Sequence, residues 1–187
     1  MTARLVIAVC WTIFLIYWAV TALSVKAIAE RQNLGARAWH LGLLLVAVLF
    51  MAGAWLNWPA NMNTVPHGVE ADIVGALLCV LGLVCAIWAR RTLAGNWSSS
   101  VAFKQGHELI VRGPYKYVRH PIYAGILLMV FGSAAVSGRF DAFIGAFAFF
   151  GSFWIKLRQE EALMMRHFPE SYSAYKRQVK MFLPFVW

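Results

Sequence analysis

"LVIAVCWTIFLIYWAVTALSV", residues 5–25, contains no acid and no base. A helix rises about 1.5 Å per residue, so roughly 20 residues cross a hydrocarbon core about 30 Å thick. The stretch therefore reads as a transmembrane helix. Four further apolar runs follow: 41–56 (LGLLLVAVLFMAGAWL), 73–89 (IVGALLCVLGLVCAIWA), 122–138 (IYAGILLMVFGSAAVSG) and 140–157 (FDAFIGAFAFFGSFWIKL). These are shorter and borrow flanking residues to span; Asp141, near the start of the last, can reach the interface. With 187 residues, 61% hydrophobic and only 13% charged, the composition lies far from the soluble norm. The expected fold is an all-α integral membrane protein of about five transmembrane helices. Residues 1–187 form a single membrane domain, with an N-terminal helical hairpin at 1–58 and a core at 70–187.

Ala27-Ile28-Ala29 mimics a signal-peptidase site, but the apolar core before it is about double a usual signal h-region and Lys26 immediately precedes it. The first run is read as a retained helix. A formal charge of +9 raises the question of nucleic acid, yet the basic residues cap the apolar runs instead of forming one patch with interleaved aromatics. If the N-terminus, the 57–72 loop and the 138–141 turn share one side, that side holds only Arg4 and Arg139 of the 17 Lys and Arg residues. The positive-inside rule then places the N-terminus outside and the 90–121 segment and C-terminal tail in the cytoplasm. Cys10, Cys79 and Cys85 fall inside predicted spans and read as small buried residues. No metal site is expected, because His107 and His120 have no carboxylate or cysteine at ligand spacing.

Two polar stretches face each other in this topology. In "RRTLAGNWSSSVAFKQGHELIVRGPYKYVRHPIY" (90–123), Gly95-Asn96-Trp97-Ser98 ends the third helix, "HELIV" (107–111) reads as a short extended piece, and Gly113-Pro114 makes a turn. Pro121 suits the first turn of the fourth helix. His120 then stands at a helix N-terminus, where free N–H groups favour anionic ligand atoms. In "KLRQEEALMMRHFPESYSAYKRQVKMFLPFVW" (156–187), Lys156 and Glu160 have i,i+4 spacing and Pro169-Glu170 breaks the helix. A second amphipathic helix carrying Tyr172 and Tyr175 follows, and the apolar end 182–187 folds back on protein or lipid. Singly, Arg119, Lys116, Tyr115, Tyr117 and Tyr123 also fit as interface anchors. The ordered combination is what points to a site.

That combination runs Lys104, His107-x-Leu109, Gly113-x-Tyr115, Arg119-His120-Pro121-x-Tyr123-x-Gly125, Glu160-Glu161, His167-Phe168, Tyr172-x-x-Tyr175 and Pro184-Phe185. It resembles the isoprenylcysteine carboxyl methyltransferases, with related signatures in phospholipid N-methyltransferases and some sterol reductases. The similarity covers roughly 95–187, and Arg-His-Pro-x-Tyr with the trailing Glu-Glu are its most specific elements. It implies S-adenosylmethionine, with S-adenosylhomocysteine as product, in a cytoplasmic cofactor pocket between the 90–123 segment and the C-terminal helices, with motifs at 104–125 and 156–185. Carried over, the cofactor-binding residues are His107, Glu108, Leu109, Ile110, Tyr115, His120, Pro121, Tyr123 and Glu160. The catalytic group is Glu160, Glu161, Arg158 and Lys156. Where the family has a substrate-holding arginine one turn before the glutamate, this chain has Lys156, with Arg158 two residues nearer; the family's Phe-Gly pair is Phe168-Pro169 here.

Such chemistry needs no metal, since positioning a nucleophile against a sulfonium methyl supplies most of the rate. A carboxylate acceptor is already ionised, whereas an ammonium must lose a proton, which Glu160 or Glu161 accepts if burial raises its pKa. Tyrosine rings at 115 and 123 suit a sulfonium through cation–π contact. The expected partners are a lipophilic small-molecule substrate and membrane lipids. Three alternatives stand beside carboxyl methylation: N-methylation of an amine headgroup, nicotinamide-dependent reduction of an isoprenoid or sterol-like lipid, and non-catalytic ligand binding. The reductase reading is the weaker, since those enzymes have more spans than five.

Overall fold

The computed structural model describes residues 2–22, 28–31, 34–56, 65, 67–94, 97, 102–104 and 109–182, with backbone alone for 28–31, 34–37 and 102–104. The helices are α1 (Thr2–Ala22), α2 (Leu34–Trp55), α3 (Val69–Leu93), α4 (Pro121–Ser137), α5 (Phe140–His167) and α6 (Pro169–Gln178). α1, α3, α5 and the Ala38–Trp55 part of α2 are long and apolar enough to cross a membrane, and α4 is a shorter apolar helix. The five runs thus appear as five helices, of which α2, α3 and α5 are longer than their runs. α4 and α6 both open with proline at N1, where a missing N–H costs nothing. α4 closes at Gly138, whose φ of 66° places it in the left-handed region that glycine enters without strain.

The fold is all-helical as expected, apart from one short ribbon. β1 (Ile28–Arg31), after α1, pairs antiparallel with β2 (Ala102–Lys104), after α3. Two chains leaving neighbouring helix ends satisfy their backbone groups on each other. The extended piece expected at 107–111 is not where the strand forms: Leu109–Val111 carries no regular structure, and His107 and Glu108 lie outside the described residues.

α3 and α4 form the closest helix pair, because glycines seven residues apart on each helix meet across it. Gly75 faces Gly132 and Gly82 faces Gly125. A Cβ on Gly75 would stand 2.6 Å from the Gly132 carbonyl oxygen, and one on Gly125 would stand 2.6 Å from that of Gly82. Backbones can approach this closely only without side chains. This glycine packing is internal to the fold.

The two N-terminal helices each pack on a helix of the core. α1 packs on α3 and α2 packs on α5, so each helix finds its main partner in the core. They approach each other at one end, where the Arg4 guanidinium lies 5.9 Å over the Trp55 ring. That end also holds Gly138, whose carbonyl accepts from the Val65 N–H, and Arg139 paired with Asp141 at 2.8 Å. Asp141, expected at the interface, is 3% exposed, because Arg139 and the Ala142 N–H both bind its carboxylate. At the opposite end, Arg90 donates to the carbonyls of Thr21 and Ala94, the last turns of α1 and α3, and lies 4.3 Å over Trp97. The negative helix termini compensate a guanidinium that is only 2% exposed. The start of α4, the end of α5 and α6 lie at this second end too.

Candidate functional site

The site is built on the turn leading into α4. Gly113, with φ 59°, lets the chain turn tightly against Thr92, and Gly113–Lys116 form a 3-10 turn that buries Tyr115. The turn is held from α6: the Tyr175 hydroxyl donates to the Tyr115 carbonyl at 2.6 Å. The next residues are held by the segment after α6, since the N–H groups of Arg119 and His120 donate to the carbonyls of Lys180 and Met181 at 2.8 and 3.2 Å. His120 is therefore fixed at the N-cap of α4, with Pro121 at N1 and Tyr123 within the first turn.

Tyr123 meets α5. Its hydroxyl donates to Glu160 Oε1 at 2.6 Å, which joins the two halves of the sequence signature across 37 positions. Lys156 Nζ lies 3.9 Å from the same oxygen and 5.2 Å over the Tyr123 ring. The ring also packs edge-on against Phe153, centroids 4.9 Å apart. Ser152, Lys156 and Glu160 follow at four-residue steps and so share one stripe of α5. On that stripe Ser152 meets His40 of α2, whose Nδ1 lies 2.8 Å from Ser152 Oγ and 3.0 Å from its carbonyl oxygen.

Glu161, one residue on, faces elsewhere. Its Oε1 accepts from Arg119 Nε at 2.8 Å and Nη2 at 2.7 Å, with His120 Nε2 at 3.3 Å. Its Oε2 lies 2.9 Å from Lys176 Nζ on α6. Arg119 Nη1 also donates to the Val179 carbonyl. Glu161, 3% exposed, joins α5, the start of α4 and α6 at one carboxylate. Around this junction burial pushes the Tyr115, Tyr172 and Tyr175 hydroxyls up from their ordinary value, so all three remain protonated donors at neutral pH.

Of the residues singled out in the sequence, Tyr115, His120, Pro121, Tyr123, Lys156, Glu160 and Glu161 come together. Leu109 and Ile110 are half-buried, and Ile110 packs on the Tyr115 and Ile122 cluster. Arg158 is exposed and lies 5.9 Å over Trp154, turned from the Glu160 stripe. Pro184 and Phe185 lie outside the described residues. The structure adds Lys176 and the His40–Ser152 pair, and it gives Arg119 and Tyr175 of the signature their partners. Arg119, which singly also fits as an interface anchor, finds its partner 42 residues away. His40 and Lys176 lie outside that signature, and the sequence reading singled out neither as a site residue.

The donor set fits a zwitterionic sulfonium cofactor. S-adenosylmethionine carries a carboxylate, an ammonium, a sulfonium and ribose hydroxyls; here a helix N-terminus suits the anion, and Glu160 and the faces of Tyr123 and His120 suit the rest. Comparison with known proteins decides the lineage, for a match to the phospholipid methyltransferase family covers residues 71–171, from α3 into α6. The chain belongs to the phospholipid methyltransferase family. Protein-S-isoprenylcysteine O-methyltransferase of Xenopus laevis is 24% identical, over 90% of this chain and 64% of its own length. That of Schizosaccharomyces pombe is 30% identical over 70% and 56%. The chain thus spans between about half and two thirds of these relatives. The solved structure of the eukaryotic intramembrane Ras methyltransferase, isoprenylcysteine carboxyl methyltransferase, shares the fold: TM-score 0.61 at 21% identity, over 76% of this chain and 52% of that one.

Proposed function

We propose that this phospholipid methyltransferase family protein is an S-adenosylmethionine-dependent enzyme that methylates the carboxylate of a lipophilic, isoprenylcysteine-like acceptor at the cytoplasmic membrane face. The observation that carries the reading is the Tyr123–Glu160 hydrogen bond at the N-terminus of α4. It puts the Arg-His-Pro-x-Tyr and Glu-Glu motifs into one site. Tyr115, His120, Pro121, Tyr123 and Glu160 hold the cofactor, with Leu109 and Ile110 beside them and His107 and Glu108 completing the set by resemblance. Bound there, S-adenosylmethionine supplies an activated methyl group.

Lys156 favours a carboxylate over an amine. It lies one turn before Glu160 on α5, toward the apolar part of the helix, so an acceptor rising from the bilayer meets an ammonium first. A buried cation attracts a carboxylate and repels an ammonium substrate. Glu161 supports the same reading, because a carboxylate gripped by Arg119, His120 and Lys176 is poorly suited to take a proton from an amine. A carboxylate acceptor needs no such base. Sidedness rests on the basic residues crowded at the site end, including Arg112, Lys116, Arg158, Arg166, Lys176, Arg177 and Lys180.

Calorimetric titration of S-adenosylhomocysteine into detergent-purified protein tests the reading. We expect micromolar binding that weakens at least tenfold in Glu160→Gln and His120→Ala. Absence of binding to folded wild-type protein would overturn it.

A further inference from the structure

We infer that Glu161 is a positioning residue that sets the imidazole of His120, with Arg119 and Lys176 fixing the carboxylate in turn. The inference rests on the methyltransferase reading and assigns Glu161 a different part from Glu160. Adjacent positions on a helix point about 100° apart, so Glu160 and Glu161 cannot serve the same ligand in the same way. Glu160 turns to Tyr123 and Lys156 and is 23% exposed; Glu161 turns to Arg119, His120 and Lys176 and is 3% exposed. Only the first can meet a bound molecule directly.

His120 is held on two sides. Its backbone N–H is tied to the Met181 carbonyl, and its Nε2 lies 3.3 Å from Glu161 Oε1. An ionised carboxylate only accepts hydrogen bonds, so Nε2 must carry the proton. In the neutral ring that leaves Nδ1 as a bare lone pair, presented at the N-cap beside Tyr123, whose ring lies 6.1 Å away. A carboxylate that orients a histidine through its second nitrogen is a general way to choose the tautomer. Arg119 and Lys176 share the carboxylate between its two oxygens, Arg119 on Oε1 and Lys176 on Oε2, so Glu161 cannot swing away from the ring. His120 then acts as an acceptor toward the cofactor, matching an N–H or O–H donor such as its ammonium or a ribose hydroxyl.

Two measurements test this. The first is a nitrogen-15 spectrum of histidine-labelled wild-type protein at about pH 8.5, well above the ordinary histidine pKa of about 6.5, with His120→Ala to assign the signal. The Nε2–H form with unprotonated Nδ1 is expected; the Nδ1–H form would overturn the inference without any question of folding in a Glu161 variant. The second is a double-mutant cycle of Glu161→Gln with His120→Ala, read as S-adenosylhomocysteine affinity. Glu161→Gln alone should weaken binding about tenfold, and the double variant should be no weaker than His120→Ala. Additive losses, or unchanged affinity in Glu161→Gln, would show that Glu161 does not work through His120. Failure of the wild-type protein to bind would overturn the methyltransferase reading, while the spectrum would still decide the tautomer.

Discussion

The α3–α4 interface and the junction at Glu161 both hold α4 in place, by opposite means. Along the helix, Gly75, Gly82, Gly125 and Gly132 remove side chains so that two backbones touch. No charge is involved, and the contact depends on shape alone. At its N-terminus α4 is held by Arg119, His120 and Glu161 with Lys176, where geometry and charge must both be right. In lipid there is little hydrophobic gain from bringing helices together, so close van der Waals packing must supply the association. At the polar end water competes for every charge, and only a buried, multiply bonded carboxylate is rigid. The scaffold is therefore intolerant of bulk, and the site is intolerant of changes in charge.

The largest expected effect breaks the first region. Gly82→Leu places a branched side chain against the backbone of Gly125, and overpacking of this kind costs about 3 kcal/mol or more. We expect loss of monodisperse folded protein by size-exclusion chromatography, whereas the conservative Glu160→Gln should leave folding intact. Glu160→Gln comes next. It replaces the charged acceptor of the Tyr123 hydroxyl by a neutral amide oxygen, and a tenfold affinity loss for S-adenosylhomocysteine corresponds to about 1.4 kcal/mol in calorimetry.

A third outcome sharpens the charged region through pH. Tyr115, Tyr172 and Tyr175 have hydroxyls raised by burial in the folded state, so between the ordinary tyrosine value near about 10 and the folded one the native protein binds more protons than the unfolded chain. Stability must then fall as pH rises through that window and be unaffected by these groups below it. Thermal unfolding from pH 8 to 11 (roughly one unit above the ordinary tyrosine value) checks the sign, and Tyr175→Phe should flatten the slope. At neutral pH the same substitution removes one hydrogen bond to the Tyr115 carbonyl, worth about 1 kcal/mol, or a fall in Tm of about 3 °C. Arg158→Ala should do least. An exposed arginine over Trp154 is worth under about 0.5 kcal/mol, and unchanged cofactor affinity would separate it from Lys156 two residues earlier.

Five apolar helices were legible because each is a local property: a long run of mostly apolar residues announces a helix in the membrane whatever surrounds it. The motif residues Tyr115, His120, Pro121, Tyr123 and Glu160 were legible as an ordered signature, and so was the Lys156–Glu160 pair, which needs only one helical turn. The ribbon of β1 and β2 was not, because three- and four-residue strands carry too short a pattern to read before their partner is known. Nor were the different partners of Glu160 and Glu161, two identical residues that look interchangeable in the sequence.

By itself, then, the sequence determined that this chain crosses a membrane several times and carries a polar site at the end where its basic residues gather. Tertiary structure decided which helices touch, with α1 on α3 and α2 on α5, and which partners each of the two carboxylates meets. Spans and caps are set by neighbours within a turn or two. Helix partners and the directions of Glu160 and Glu161 depend on groups such as Tyr123, Arg119 and Lys176, which only packing brings within hydrogen-bond reach.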